Sequence, residues 1–168
     1  MSSRSTATSS SASAPSLALR ARLALAVATL GGVGRAPVAP GTVASAITAL
    51  ALWLLSPPPL TLAVLLIVVT GLGTWAADEA ERALGDRDPG MIVVDEVAGM
   101  MLAVLAVPAT PVVLLAGFLL FRVFDVVKPF PANVAQRLPG GLGVMVDDLV
   151  AGLYALALLA LATSLGWL

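Results

Sequence analysis

Met91-Ile-Val-Val-Asp95-Glu96-Val-Ala-Gly99-Met-Met-Leu-Ala-Val-Leu-Ala-Val107 is apolar from end to end except for one acidic pair near its front. Its length and its Leu, Ala and Val content favour a helix over a strand. On a helix Asp95 and Gly99 share a face at i,i+4, and a glycine there lets another backbone or a ligand come close beside the carboxylate. A similar arrangement recurs in Val146-Asp147-Asp148-Leu-Val-Ala-Gly152, again with Asp148 and Gly152 at i,i+4. The likeness is too short to be read as an internal repeat.

Outward from this stretch, further apolar runs occupy 17–30, 43–55, 60–77, 112–123 and 149–168. With 59% hydrophobic and 11% charged residues, the chain has too little polar surface to cover itself as a soluble domain, where charge is about a quarter of the residues. Several runs are shorter than the ~20 residues of a straight membrane span. The reading is all-α: a compact multi-helix membrane bundle of about five to six helices. Residues 1–16, rich in Ser and Ala, read as a disordered tail, leaving 17–168 as one helical domain. Arg20 and Arg22 before a short apolar stretch imitate a signal peptide, but that stretch runs into a Gly/Pro loop rather than a cleavage site.

Threading the helices alternately brings every charged cluster to one side. The Gly31–Thr42 loop with Arg35, the stretch Asp78–Glu96, the helix end with Arg122, Asp125 and Lys128, Arg137, and the pair Asp147-Asp148 converge there. Ser56-Pro-Pro-Pro59 and Pro108-Ala-Thr-Pro111, on the other side, carry no charge. If the first segment does not cross, all 9 Lys and Arg lie on one face, which the positive-inside rule makes cytoplasmic. The expected location is the plasma (inner) membrane, multi-pass, with Trp53, Trp75 and Trp167 as interface anchors.

The residue inventory restricts the chemistry. Without cysteine or histidine there is no thiolate, no imidazole base and no good zinc or iron site. Carboxylates, hydroxyls, Arg and Lys remain, and these suit Mg²⁺ or another oxygen-loving ion. A net charge of −1 without a basic stripe makes nucleic acid an unsuitable partner. Acidic residues also favour helix N-termini for electrostatic reasons alone. Two acidic pairs on one side of an apolar bundle nevertheless read as a metal site drawn from Asp95, Glu96, Asp147 and Asp148, with Asp88 and Asp125 as further candidates.

Arg122, Asp125 and Lys128 recur at i, i+3, i+6 near a helix end. An Arg fork and a Lys point charge suit a phosphate, while an Arg122–Asp125 salt bridge with Lys128 capping the helix is the structural alternative. In Gly32-Val-Gly34-Arg35-Ala-Pro37-Val-Ala39-Pro40-Gly41-Thr42 the loop opens a helix with Thr42 as candidate N-cap, and its amides can bind an anion. Arg35, Gly41 and Thr42 are therefore candidate substrate contacts. The loop is neither a dinucleotide fingerprint nor a P-loop.

Four blocks in order, Gly32-x-Gly34-x-x-Pro37-x-Ala39-Pro40-Gly41-Thr42-x-x-Ser45, Asp88-x-Gly90 with Val94-Asp95-Glu96-x-x-Gly99, Phe121-Arg122-x-Phe124-Asp125-x-x-Lys128-Pro129-x-Pro131, and Gly140-Gly141-x-Gly143-Val-Met-x-Asp147-Asp148-x-x-Ala151-Gly152, resemble the phosphatidylglycerophosphatase A family. The resemblance covers about residues 25–165. It implies an all-helical, Mg²⁺-dependent membrane phosphatase acting on phosphatidylglycerophosphate, a membrane lipid, in phospholipid biosynthesis. Catalytic roles then fall to Asp95, Glu96, Arg122, Asp125, Lys128 and Asp148. Ala44, where the family commonly has glycine, and Met91, where serine is usual, depart from the pattern beside motif residues rather than on the charged ones. A water or a carboxylate nucleophile is compatible with this inventory. The alternative from another class is a small multi-pass transporter or ion-pathway protein, whose ionisable residues belong mid-span at a repeat interface. A non-catalytic helical assembly factor would explain the hydrophobicity but not the acidic pairs with Arg and Lys on one face.

Overall fold

The computed structural model describes residues 14–87, 89–135 and 137–168. Among these the chain is all-helical: α1 Ala14–Ala28, a 3₁₀ segment Leu30–Arg35, α2 Pro40–Leu55, α3 Pro59–Leu84, α4 Val94–Ala103, α5 Pro111–Val127, a four-residue α6 Ala132–Ala135, and α7 Gly141–Ser164. Residues 1–13 of the expected tail lie outside the described residues, and Ala14–Ser16 belong to α1.

The helices begin and end for local reasons. Proline stands in the first turn of α2, α3 and α5, where its missing N–H costs nothing and its fixed φ suits the helix. This overrides the expectation for Thr42: α2 starts at Pro40, Ala39 in the left-handed region is the cap, and Thr42 lies inside the first turn. α3 runs past its apolar stretch through Asp78–Arg82 and stops at Gly85, whose φ of 69° closes the end. Thr110 caps α5, its Oγ1 accepting from the Val113 N–H at 3.3 Å.

Two further boundaries differ from the sequence reading. α4 is only Val94–Ala103, because the Val93 N–H bonds across to the Ala28 carbonyl at 2.8 Å and non-helical angles set in at Val104. α7 starts at Gly141, so Asp147 and Asp148 lie in its second turn rather than at its entrance. Gly140 and Gly141 pack tightly against α3. A Cβ on Gly141 would collide with the Thr74 carbonyl and come within 2.9 Å of the Asp78 N–H, so the start of α7 rests directly on the backbone of α3.

α4 and α7 form the centre. α7 packs on α3, α4, α5 and α6, and α4 also meets α2, α3 and α5. One apolar cluster joins Leu52, Leu62, Met100, Val113, Phe121 and Leu159; the other joins Ala28, Ala76, Ala77, Ala80, Val94 and Met145. The alanines of α3 let α1 lie close, as small residues do in membrane bundles. α1 is held to the charged half of the bundle at its middle, by Arg20 to Glu79 at 2.8 Å, and at its C-terminal end, where the Ala28 carbonyl accepts from the Val93 N–H. At the opposite end the two proline turns lie together around one hollow.

α3 and α7, 26 and 24 residues long, are long and apolar enough to cross a membrane. Leu60, Ile67 and Leu72 on α3 and Leu115 and Leu119 on α5 are exposed, an apolar surface a water-facing domain would not keep. Trp53 and Trp167 sit toward the proline-turn end and Trp75 toward the charged end.

Candidate active site

The site is built where α4 crosses α7. A Cβ on Gly99 would meet the Asp148 carbonyl at 2.8 Å, and one on Gly152 would come within 3.1 Å of the Gly99 carbonyl carbon. The glycine four residues after each aspartate thus admits the other helix's backbone, not a ligand. The contact brings the preceding carboxylates together. Asp95, Glu96 and Asp148 each offer an oxygen, all within 4.8 Å of one another. Asp95 is 8% and Asp148 3% exposed.

Successive residues on a helix point about 100° apart, and α7 separates its acidic pair accordingly. Asp148 enters the cluster, while Asp147 turns to Lys128, with which it forms a hydrogen-bonded ion pair. Lys128 is the left-handed cap of α5, its N–H bonded to the Phe124 carbonyl at 2.8 Å. The Tyr154 hydroxyl, donating to the Phe130 carbonyl at 2.7 Å, holds the following turn against α7. Burial alone would lower the Lys128 pKa, but the hydrogen bond and charge of Asp147, followed by the charges of Asp125 and Asp148, outweigh it and raise it above the ordinary lysine value.

Arg122 forms the second cationic element. Its Nη1 lies 2.8 Å from Asp125 and 3.9 Å from Glu96, and the guanidinium stands 5.9 Å above the Phe121 ring. The salt bridge read as an alternative to a phosphate clamp is therefore present, and Arg122 also borders the carboxylate cluster. Gly41 closes the same corner. A Cβ there would collide with the Glu96 carboxylate and sit 3.3 Å from the Arg122 Nη1, so the first turn of α2 lies against both.

The remaining candidates fall outside this group. Arg35 is exposed and shares a separate hollow with Arg22 and Thr29. Asp88 lies outside the described residues. Asp78, which is not among the candidates, pairs with Arg82, and its carboxylate packs against Gly140 at the start of α7. Its only sequence signal is its place at the end of an apolar run.

Three crowded carboxylates need positive charge. Asp125 draws on Arg122, while Glu96 Oε2 and Asp148 Oδ2 are buried without a hydrogen-bond partner. A hard divalent cation would satisfy both, and the all-oxygen donor set suits Mg²⁺.

Comparison with known proteins finds one family model and several relatives. The family model described as Phosphatidylglycerophosphatase A matches residues 26–163. A Bacteroides thetaiotaomicron protein provisionally named a phosphatidylinositol-3-phosphatase is 39% identical over 78% of this chain and 87% of its own. Phosphatidylglycerophosphatase A of Escherichia coli is 34% identical over 76% of each chain, and that of Haemophilus influenzae 38% identical over 50% of this chain and 53% of its own. No solved structure matches.

Proposed function

The chain belongs to the phosphatidylglycerophosphatase A family and is a phosphatase, and from that premise we propose that it is a Mg²⁺-dependent enzyme of phospholipid biosynthesis that hydrolyses phosphatidylglycerophosphate at the cytoplasmic face of the plasma membrane. The observation that carries the reading is the carboxylate trio with Arg122 at its edge.

Asp95, Glu96 and Asp148 would hold the ion. Bound there, it would supply a Lewis acid that neutralises charge developing on phosphoryl oxygens and acidifies an attacking water. The rest belongs to this chain's own groups. Arg122 offers its planar fork to the phosphomonoester, and Asp125, at 2.8 Å, fixes the direction of that fork. Lys128, kept protonated by Asp147, adds a second positive charge on the same helix end. The α2 first turn at Gly41 and Thr42 presents the positive end of a helix to the same corner. Hydrolysis forms a bond from the nucleophile to phosphorus and breaks the phosphorus–glycerol oxygen bond, which releases the lipid alcohol.

Phosphate release from phosphatidylglycerophosphate by the purified protein in detergent tests this directly. Release with Mg²⁺ and its loss in EDTA are expected; undiminished release in EDTA would overturn the metal role. The Bacteroides relative favours a second head group, so phosphatidylinositol 3-phosphate belongs in the same assay. A faster rate on that lipid would reassign the substrate while keeping the site.

Arg122→Ala should lower kcat/KM by about 10²–10³, the usual scale for removing one charged stabiliser of a transition state. Arg122→Lys should recover only part, since an ammonium cannot make the fork. Full rescue by lysine would show that only the charge is used.

A further inference from the structure

Resting on the lipid-phosphatase reading, we infer that the cleft between α2 and α5 holds one acyl chain of the substrate and sets the chain length the enzyme accepts. The cleft has a volume of about 280 Å³ and is lined by apolar side chains, among them Ala46, Ala49 and Trp53 of α2 and Leu114, Leu115 and Phe118 of α5. Its depth comes from Ala46 and Ala49, whose small side chains leave room that leucine would fill. Leu114, only 3% exposed, forms part of the floor, while Leu115 and Trp53 are exposed at the rim.

What assigns an occupant is where the cleft leads. From Thr42, residues 46, 49 and 53 follow at +4, +7 and +11, one stripe of α2. From Arg122, residues 118, 115 and 111 follow at −4, −7 and −11, one stripe of α5. The two helices run antiparallel, so the stripes descend together from the end at which Gly41 lies against Glu96 and Arg122, and the cleft begins one turn below that corner. From Ala46 to Trp53 and from Phe118 to Pro111, seven residues of helix give roughly 10 Å of apolar track. A phosphate at Arg122 thus places its own lipid's hydrocarbon at the head of the cleft. A second apolar hollow, among Val27, Leu30, Val69, Leu72, Val94 and Val97, lies between α1, α3 and α4 and is lined by no residue of α2 or α5, the helices that carry Gly41 and Arg122. It lacks this continuity.

Trp53 and Pro111 stand at the far end, so Trp53 limits how long a chain the cleft accepts. Ala46 and Ala49 limit its width.

The test uses the full chain in mixed micelles with dioleoyl and dihexanoyl phosphatidylglycerophosphate, and reads the ratio of kcat/KM for the long over the short form. Ala49→Phe should lower that ratio about tenfold, the scale of one or two methylenes in an apolar pocket. Trp53→Ala should shift the preferred chain toward longer lengths. An unchanged ratio in both folded variants would overturn the inference. A readout independent of turnover is photo-cross-linking by a phosphatidic acid carrying a diazirine midway along one chain. Adducts at Trp53 or Leu115 that disappear in Ala49→Phe support the cleft. Labelling elsewhere only, or a cross-link through these residues to a second copy of the chain, overturns it. Should wild type hydrolyse neither lipid form, the catalytic reading falls, and the cross-linking still decides who occupies the cleft.

Discussion

Asp148→Asn is expected to reduce phosphate release about 10³-fold or more in saturating Mg²⁺, while leaving the metal-free protein at least as stable as wild type. The two halves of this result have one cause. Asp148 is buried within 4.8 Å of the oxygens of Asp95 and Glu96, so without a cation the folded state holds three crowded carboxylates that the unfolded chain disperses. Removing one charge relieves repulsion. With Mg²⁺ present the same substitution removes a donor, so the rise in melting temperature that Mg²⁺ gives wild type through preferential binding to the folded state should vanish. Melting curves with Mg²⁺ and with EDTA, beside turnover, check both halves. A variant that keeps activity and its Mg²⁺-induced stabilisation would remove Asp148 from the site. Asp95→Asn should behave alike.

The second large effect lies away from any charge. Gly152→Leu should prevent stable folding, because even a single Cβ there runs into the Gly99 backbone. Gly152→Ala is the informative variant. Overpacking of this size typically costs about 1–3 kcal/mol, read as a lower melting temperature in detergent. Activity should fall further than stability predicts, by up to about 10², since forcing α4 and α7 apart by an ångström misplaces the carboxylates one turn above. If activity followed the folded fraction alone, the crossing would be packing without a role in aligning the site.

These two variants also mark what the sequence discloses. The number and threading of the long helices follow from apolar runs broken by charged clusters, and the convergence of those clusters follows from alternation. The pairing of Asp147 with Lys128 depends on the phase of α7, which the glycine-rich start at Gly141 leaves open in the sequence. Glycine seldom favours helix by itself; here it is helical because the backbone of α3 at Thr74 leaves no space for a side chain. Similarly, Arg35 read as a site residue because its loop precedes α2, yet the 3₁₀ segment, with Gly31 and Gly32 at φ 65° and 109°, turns the chain before it reaches the carboxylates. Local motifs named the right helices, and only tertiary contact decided which side chains meet.

The uncharged proline turns carry a consequence for biogenesis. The α2–α3 and α4–α5 hairpins each have their charged groups on the end away from the turn, and Leu149–Ser164 of α7 contains no Asp, Glu, Lys or Arg. A hairpin of this design can enter a bilayer tip first with hydroxyls and prolines leading, and no charged side chain has to be carried through hydrocarbon, where each costs at least about 2.5–3.5 kcal/mol. With the orientation and site proposed above, insertion and catalysis would place the same demand on the chain: the groups assigned to the chemistry are those that never have to leave the side on which the protein is made.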